Sequence, residues 1–390
     1  MRPRLRSERG AAGADRRRSL ELVRLRRNQR HPRLPAGGGK RVSVSLADLL
    51  SRRLLFTVGK GGVGRTTVTV ALALEAVRRG KRVLVIEFEG ARGLERALDA
   101  HRQARDPAPG LDRLTYLAVD GKRALEEYLE MIIPVRRLLR TIFDSAIYQY
   151  FVAAAPGLKE LMAIGKIWYE ANRADAEGDP RAANGNADDG PHPDLVIVDA
   201  PATGHSLQYL RMPQAAHEAF PVGLVHREAE RVLSLLRDPS KTGVVVVSIA
   251  EEMPANETLE ILAGLEGIGL QHAALVVNQV HAAPCSEEEL DALRREAETV
   301  EPLEAAASDA ALFVEAVRRA EEESGWARIN ATHVARLEAA TRAPVALLPY
   351  VFCEEFGPEQ VREIGRVLRA RFEETSASAK PRGVGRGRAS

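Results

Sequence analysis

The stretch that most constrains how this chain can fold is GKGGVGRTT, residues 59–67. The apolar run 54–58 precedes it and is typical of a buried strand. Four glycines then let the backbone turn tightly and point its N–H groups at an anion. After Thr66 the apolar residues recur at helical spacing, so the positive end of a helix faces the same point. The order strand, glycine loop, helix therefore predicts a phosphate-binding loop of the type G-x-x-x-x-G-K-[ST].

Two residues of this loop depart from the usual pattern. Lys60 adds a cation directly after the first glycine, and Arg65 stands where lysine is the rule. A planar guanidinium is not a point charge like an ammonium group, although it can pair with two phosphate oxygens at once. The loop therefore favours nucleotide binding more strongly than it favours hydrolysis.

The composition is that of a soluble globular protein, with 45% hydrophobic and 28% charged residues among 390. No apolar run approaches the ~18 residues of a membrane span, so we expect no integral membrane protein. The two cysteines, Cys285 and Cys353, form no C-x-x-C pair. This spacing predicts a reducing compartment, and hence a cytoplasmic location.

The charge is distributed unevenly. Residues 1–41 contain 14 Lys and Arg against 3 Asp and Glu, whereas the remainder has a net charge of −9. We expect 1–41 to be a disordered basic arm, or the product of a start codon assigned too early, and 374–390 to be a second disordered tail. Residues 42–373 would form the ordered domain. No motif predicts specific nucleic-acid binding.

The pattern of apolar runs predicts the fold class. Six runs besides 54–58 resemble buried strands: 82–87, 114–119, 195–199, 244–248, 274–278 and 345–348. Helical patterns separate most of them. This alternation predicts an α/β P-loop NTPase fold, with a mostly parallel sheet covered by helices on both faces.

A segment of different character lies at about 126–170. Its apolar residues follow helical spacing without any strand pattern, which predicts a helical insertion. Methionine and aromatic residues at this spacing usually form a core, and the alternative is a groove for an apolar client. Residues 172–193, rich in Ala, Asn, Asp, Gly and Pro, predict an exposed loop.

A second motif supplies the carboxylate that a magnesium-dependent nucleotide hydrolase needs. Asp199 ends the apolar run 195–199, and APATGHSL follows at 200–207. Together with the lysine-containing loop, this segment resembles the ArsA family of arsenite-pump ATPases, which includes the eukaryotic ATPase that targets tail-anchored membrane proteins. Three further segments agree with the family pattern: 156–160 (PGLKE), 276–279 (VVNQ) and 347–349 (LLP) with Phe356-Gly357. The resemblance covers roughly 52–372.

The resemblance implies a role for each matching position. Lys60 would reach across a homodimer interface to the partner's ATP, Thr66 would coordinate Mg²⁺, and Asp199 would hold a magnesium-bound water. The phosphates would lie against Gly59, Gly61, Gly62, Val63, Gly64, Arg65 and Thr67. The segment containing Pro201, Thr203, Gly204 and His205 would sense the γ-phosphate. Asn278 would read the adenine edge, and the loop after Pro349 would close over the base.

The first switch departs from the family pattern. Similar proteins usually carry Asp-Pro after the second strand, whereas this chain has EFEGAR at 87–92. Glu89 aligns with the aspartate expected to orient the attacking water, and Glu87 with a carboxylate of the related ParA/MinD ATPases. The extra methylene changes the reach of the carboxylate. Since misplacement by about 1 Å can cost ~10²-fold in rate, we expect slow turnover.

These features favour an ATP hydrolase whose Mg²⁺-ATP state closes a homodimer and remodels the helical segment. A chaperone or targeting factor for hydrophobic helices, or an ATP-binding sensor with weak turnover, are the alternatives. The T-G-H switch and the pair Asn278-Gln279 argue against a ParA/MinD partition ATPase. Arsenite pumping is not expected, because soft As(III) favours about three thiolates and the chain has two distant cysteines.

Overall fold

A computed structural model describes residues 44–88, 90–132, 136–154, 157–173, 192–201, 205–299 and 308–378. The strands are β1 (Leu54–Gly59), β2 (Val83–Phe88), β3 (Leu114–Val119), β4 (Leu195–Asp199), β5 (Thr242–Ile249), β6 (His272–Val280) and β7 (Val345–Pro349). The helices of the first half are α1 (Leu46–Leu50), α2 (Arg65–Arg78), α3 (Gly93–Gln103), α4 (Gly121–Ile132), α5 (Arg136–Phe143), α6 (Ala146–Ala154) and α7 (Leu158–Asn172). Those of the second half are α8 (His205–Ala219), α9 (Leu224–Arg237), α10 (Glu252–Gly267), α11 (Glu287–Glu298), α12 (Ser308–Ala339) and α13 (Pro358–Ser378).

The seven strands form one parallel sheet in the order β3-β2-β4-β1-β5-β6-β7. This arrangement confirms the predicted fold class and each of the predicted strands. Strands β2 and β3 lie on one side of β1, and β5 to β7 lie on the other. In open α/β sheets, ligands bind beyond the carboxyl ends of the strands where the strand order reverses. The loop that follows β1 is therefore placed at the expected ligand crevice.

The central strands of the sheet are covered on both faces, which explains why they are mostly apolar. Every residue of β1, β2 and β4 is buried. Alternate residues of β1 enter different clusters: Leu54, Phe56 and Val58 pack with α7, α9 and α10, whereas Leu55 packs with α2 and α13. This is the period-two alternation of a strand between two helical layers.

The helix that follows the glycine loop is buried over most of its length. Residues 68–77 of α2 are all buried. Glu75 lies within this stretch and accepts hydrogen bonds from Arg78 at 3.0 Å and from Arg369 of α13 at 3.2 Å. Because α2 is enclosed between the sheet and α13, its N-terminal turn is held rigidly at the carboxyl end of β1.

The described residues of the stretch 121–172 are helical apart from turns at 144–145 and at Gly157, and they comprise α4 to α7. Ile164 and Ile167 of α7 belong to the main core, while Leu125, Tyr148 and Val152 form a small separate cluster. Tyr150 is 76% exposed. The segment therefore combines core helix with apolar surface.

The arm 1–41 and most of the loop 172–193 lie outside the described residues. Helix α13 continues to Ser378, so the beginning of the stretch 374–390 is helical where the sequence predicts a disordered tail. Arg371 and Glu374, three residues apart, form an ion pair at 3.1 Å that supports this last part of the helix. Within the described ranges, no helix combines the length and apolar character needed to cross a membrane.

Candidate nucleotide-binding site

The glycine loop connects the carboxyl end of β1 to the first turn of α2. A Cβ atom on Gly59 would collide with the backbone oxygen of Val247, so β5 approaches the loop too closely for any side chain there. Gly64 has φ of 87° and would carry its Cβ into the side-chain amide of Asn278. Glycine is thus required at both ends of the loop, by close approach at one and by a left-handed backbone at the other.

Asp199 is the carboxylate nearest to the helix start. Its Oδ2 accepts a hydrogen bond from Thr66 Oγ1 at 2.6 Å, and the residue is 6% exposed. Its Oδ1 is buried and has no hydrogen-bond partner among the described residues. Burial raises the pKa of Asp199, while the Thr66 hydrogen bond and the Arg65 charge oppose that shift. A buried carboxylate oxygen without a partner, beside a hydroxyl, suits a divalent cation or its water.

Arg65 joins the phosphate loop to the segment that follows β4. Its Nη1 donates a hydrogen bond to the carbonyl oxygen of Ala200, directly after Asp199. Burial lowers the pKa of Arg65, and the charge of Asp199 opposes this effect. An arginine can span this distance and keep its remaining N–H donors available, because its five donors form a planar fork.

Lys60 lies on the opposite side of the loop and contacts α10. Its Nζ is 2.6 Å from Oε1 of Glu257, and the two side chains are 29% and 27% exposed. The second oxygen of Glu257, Oε2, is buried with no hydrogen-bond partner among the described residues. Sequence reasoning missed Glu257, because it stands in an ordinary helical pattern without a motif.

Glu87 closes the end of β2 and caps the next helix. Its Oε1 accepts hydrogen bonds from the N–H groups of Gly93 at 2.9 Å and Leu94 at 3.0 Å. Its Oε2 accepts from the Glu95 N–H at 3.4 Å and from the Tyr116 hydroxyl at 3.3 Å. Burial, with the charge of Glu87, raises the pKa of Tyr116 to about 12. The carboxylate therefore accepts from the first N–H groups of α3, which have no hydrogen-bond partner inside the helix.

The strand register brings the two acidic groups together. Glu87 of β2 is the direct neighbour of Asp199 of β4, and Asp199 is the neighbour of Thr57 of β1. Glu89 lies outside the described residues. The structure thus gathers Thr66, Arg65, Asp199 and Glu87 at one point. The side chain of Lys60 points away from them and pairs with Glu257 of α10.

Asn278 anchors the loop from the other side. It is 5% exposed, and its Nδ2 donates a hydrogen bond to the carbonyl oxygen of Val63 at 3.0 Å.

Pro349 ends β7, and the residues 350–354 that follow line an open pocket of about 360 Å³. Tyr350, one of the lining residues, stacks on His281 with ring centroids 4.5 Å apart. Flat aromatic surfaces of this kind suit a planar base.

The remaining predicted positions are placed as follows. Gly61 and Gly62 are exposed at the tip of the loop, Val63 is buried, and Thr67 is half-buried in the first turn of α2. Pro201 is half-buried directly after β4, and His205 is the first residue of α8. Thr203 and Gly204 lie outside the described residues, as does the side chain of His205.

Comparison with known proteins agrees with this arrangement. The sequence model of the anion-transporting ATPase family matches residues 52–224 and 222–303. ATPase BagA of Mycobacterium tuberculosis is 29% identical over 237 residues, which are 58% of this chain and 65% of that protein. The arsenical pump-driving ATPase of Escherichia coli is 28% identical over 276 residues, 65% of this chain and 44% of that protein.

A eukaryotic relative extends the comparison: ATPase get3 of Schizosaccharomyces japonicus is 24% identical over 274 residues, 62% of this chain and 78% of that protein. The match to BagA spans slightly less than two thirds of BagA. The family match runs without interruption from β1 beyond β6, through the glycine loop, Asp199 and Asn278. The chain therefore belongs to the ArsA-type family of anion-transporting ATPases.

Proposed function

We propose that this chain binds Mg²⁺-ATP at the loop 59–67 and hydrolyses the bond between the β- and γ-phosphates. The observation that carries the proposal is the pairing of Thr66 with Asp199 at 2.6 Å, with the second oxygen of Asp199 buried and without a partner among the described residues. In P-loop proteins a hydroxyl and a carboxylate in this relation hold the magnesium ion and its water shell. When bound, the ion would be held by Thr66 and Asp199 and would neutralise the charge that develops on the phosphates.

The loop would bind the phosphates through its backbone. The N–H groups of the loop and of the first turn of α2 converge on the carboxyl end of β1, where the helix dipole favours an anion. Arg65 adds a positive charge within this region, although one N–H group of its guanidinium donates to the carbonyl oxygen of Ala200. Thr67 stands beside Thr66 and would contact the phosphates.

Positioning would account for most of the hydrolysis step, because the protein does little covalent chemistry in phosphoryl transfer. Glu89 is our candidate for orienting the attacking water. Glu87 is engaged in four hydrogen bonds, which supports a role in holding α3 in place. The segment with Pro201, Thr203, Gly204 and His205 would sense the γ-phosphate, since it directly follows Asp199.

We further propose a cytoplasmic homodimer in which ATP draws Lys60 away from Glu257 and toward the nucleotide of the second subunit. The ion pair is partly exposed, so its separation carries a modest free-energy cost. Closure of the dimer would then rearrange the helices at about 126–170. Two relatives of this chain, an arsenical pump-driving ATPase and ATPase get3, are consistent with a nucleotide-driven mechanism.

A factor that binds hydrophobic helices is the second candidate function. It is favoured by the apolar surface of α5 and α6, where Ile142 is 37% and Tyr150 is 76% exposed beside a small separate cluster. The client would be an apolar helix lying in a groove. Binding of a transmembrane peptide in one nucleotide state only would support this function, and equal lack of binding in both states would refute it.

The experiment that tests the proposed function combines nucleotide binding with phosphate release. We expect the wild-type protein to bind a fluorescent ATP analogue and to release phosphate only when Mg²⁺ is present. Asp199→Asn should raise the Mg²⁺ requirement by about 10- to 100-fold, as loss of a metal contact typically does. The exposed Asp112→Asn is the matched control. Failure of the wild type to bind ATP with Mg²⁺ would overturn the proposal.

A further inference from the structure

Two histidines and a glutamate meet at the corner between α8 and α9, far along the chain from the glycine loop. His217 lies in the last turn of α8, while His226 and Glu230 lie one turn apart near the start of α9. One potential ligand atom from each residue lies within 4.8 Å of those of the other two. Residues four apart on a helix share a face, so His226 and Glu230 are presented together.

The environment of these side chains suits an ion. Both imidazoles are half-buried and Glu230 is exposed, so a cation could reach the cluster from solvent. Among the described residues Glu230 forms no ion pair, whereas the neighbouring Glu228 pairs with Arg231 at 3.1 Å. The cluster thus contains a carboxylate whose charge is not matched by an arginine or lysine of the described residues.

The hydrogen bonding of His226 provides a second observation. Its Nδ1 lies 3.3 Å from the carbonyl oxygen of His217, and since a carbonyl can only accept, Nδ1 is the protonated nitrogen. In the neutral imidazole with this tautomer, Nε2 carries the lone pair that a metal ion needs. Histidines that bind metals usually donate their other N–H to a carbonyl or carboxylate in this way, which fixes both the tautomer and the ring orientation.

We propose that His217, His226 and Glu230 form a binding site for Zn²⁺. Imidazole nitrogens with one carboxylate oxygen are typical ligands of this ion, with bond lengths of about 2.0–2.2 Å, and a water would complete the tetrahedron. The two rings are stacked with centroids 4.0 Å apart and planes at 27°, so both imidazoles lie side by side at this corner. Hard Mg²⁺ prefers oxygen ligands and would not compete effectively.

The site would clamp the end of α8 to the start of α9. The short connection between these helices carries the exposed residues Phe220 and Val222, at 52% and 81%. Helix α8 begins directly after the segment 201–204 that follows Asp199. Zinc would therefore fix the far end of the helix whose near end follows the switch segment. This inference does not depend on the proposed ATPase function.

The test uses full-length protein without a polyhistidine tag, stripped of metal with a chelator and titrated with Zn²⁺ against a chromophoric zinc indicator. We expect one equivalent of zinc per chain, with affinity at least tenfold weaker in His226→Gln and in Glu230→Gln. The matched control is His281→Gln. His281 also contacts a glutamate, Glu323 at 2.9 Å, but these two belong to no three-residue metal-ligand cluster of the described residues. Its zinc affinity should equal that of the wild type.

Two further measurements keep the result unambiguous. Circular dichroism of each metal-free variant checks that the fold is retained, and the exposed Glu230→Gln suffices should His226→Gln fail to fold. Zinc-edge X-ray absorption should show two imidazoles and oxygen. Sulfur ligation, equal affinity of wild type and Glu230→Gln, or absence of stoichiometric binding would each overturn the proposal.

Discussion

Lys60 of the glycine loop is held by Glu257 of α10, with Nζ 2.6 Å from Oε1. The lysine expected to reach a second subunit is therefore paired within its own chain. The second oxygen of Glu257 is buried and has no partner among the described residues, so Lys60 is the cation that contacts this carboxylate there. The ion pair thus links the position of the loop to the position of α10.

Removing the charge of Glu257 should release Lys60. We expect Glu257→Gln to increase ATP-dependent dimerisation and hydrolysis by roughly 1.5- to 5-fold, which corresponds to the ~0.2–1 kcal/mol of a partly exposed ion pair. Sedimentation equilibrium with and without ATP, together with phosphate release, measures the effect. Glu260→Gln, on the exposed face of the same helix, is the control. A loss of dimer in Glu257→Gln alone would show that Glu257 supports closure.

The guanidinium of Arg65 should limit turnover more than binding. We expect Arg65→Lys to leave ATP affinity nearly unchanged and to raise kcat by roughly tenfold, within the ~10²-fold that misplacement by about 1 Å can cost. The physical reason is that the charge of lysine is confined to one ammonium group, which would not also be bound to the carbonyl oxygen of Ala200. Steady-state kinetics measures this, with Arg78→Lys at the far end of α2 as control. A fall in kcat would mean that the Ala200 contact is itself required.

Glu87 should contribute to stability as the cap of α3. Glu87→Gln places an amide N–H₂ among backbone N–H donors, and we expect a loss of about 1–3 kcal/mol in the free energy of unfolding. Thermal or urea unfolding measures the loss. Glu95→Gln, exposed in the same first turn, should be nearly neutral. Unchanged stability with abolished hydrolysis would instead identify Glu87 as the group that orients water.

The raised pKa of Asp199 predicts two pH effects of opposite sense. Burial favours the protonated form in the folded state, so Asp199 stabilises the fold below its unfolded pKa of about 3.9, and this contribution is lost as pH rises through the higher folded value. Asp199→Asn should therefore unfold at a higher temperature than the wild type at neutral pH when nucleotide and Mg²⁺ are absent. Equal melting temperatures would contradict this.

Magnesium binding needs the ionised carboxylate. As pH falls, we expect Mg²⁺-dependent ATP binding to weaken at a pH above the ordinary aspartate value of about 3.9. Titration of the fluorescent analogue with and without Mg²⁺ across pH isolates the magnesium-dependent part. The magnesium-independent part should change less over the same range, since it rests on backbone N–H groups.

Gly64 should tolerate no side chain. Its φ of 87° and the nearness of the Asn278 amide lead us to expect that Gly64→Ala lowers stability by about 1 kcal/mol or more and abolishes nucleotide binding. Asn278→Ala in the same chain would remove the collision but not the backbone strain, so the double variant should recover part of the stability. Gly62→Ala is the informative control, because Gly62 shares the positive φ but has open space around it.

The sequence by itself determined the features that depend on local spacing. Strand, glycine loop and helix follow one another within residues 54–78, so turn chemistry and apolar periodicity were sufficient to predict them. The seven strands were predicted for the same reason, because buried parallel strands are apolar on both faces. The motif around Asp199 indicated the family without coordinates, and the family match confirmed the family.

Only the tertiary structure decided which distant side chains meet. Asp199 contacts Thr66 because β4 lies next to β1, an order that no local pattern specifies. The pairing of Lys60 with Glu257 and the grouping of His217, His226 and Glu230 depend likewise on how helices pack on the sheet and on one another. Such contacts follow from the packing of whole elements, whereas periodicity and turn chemistry act only over a few neighbouring residues.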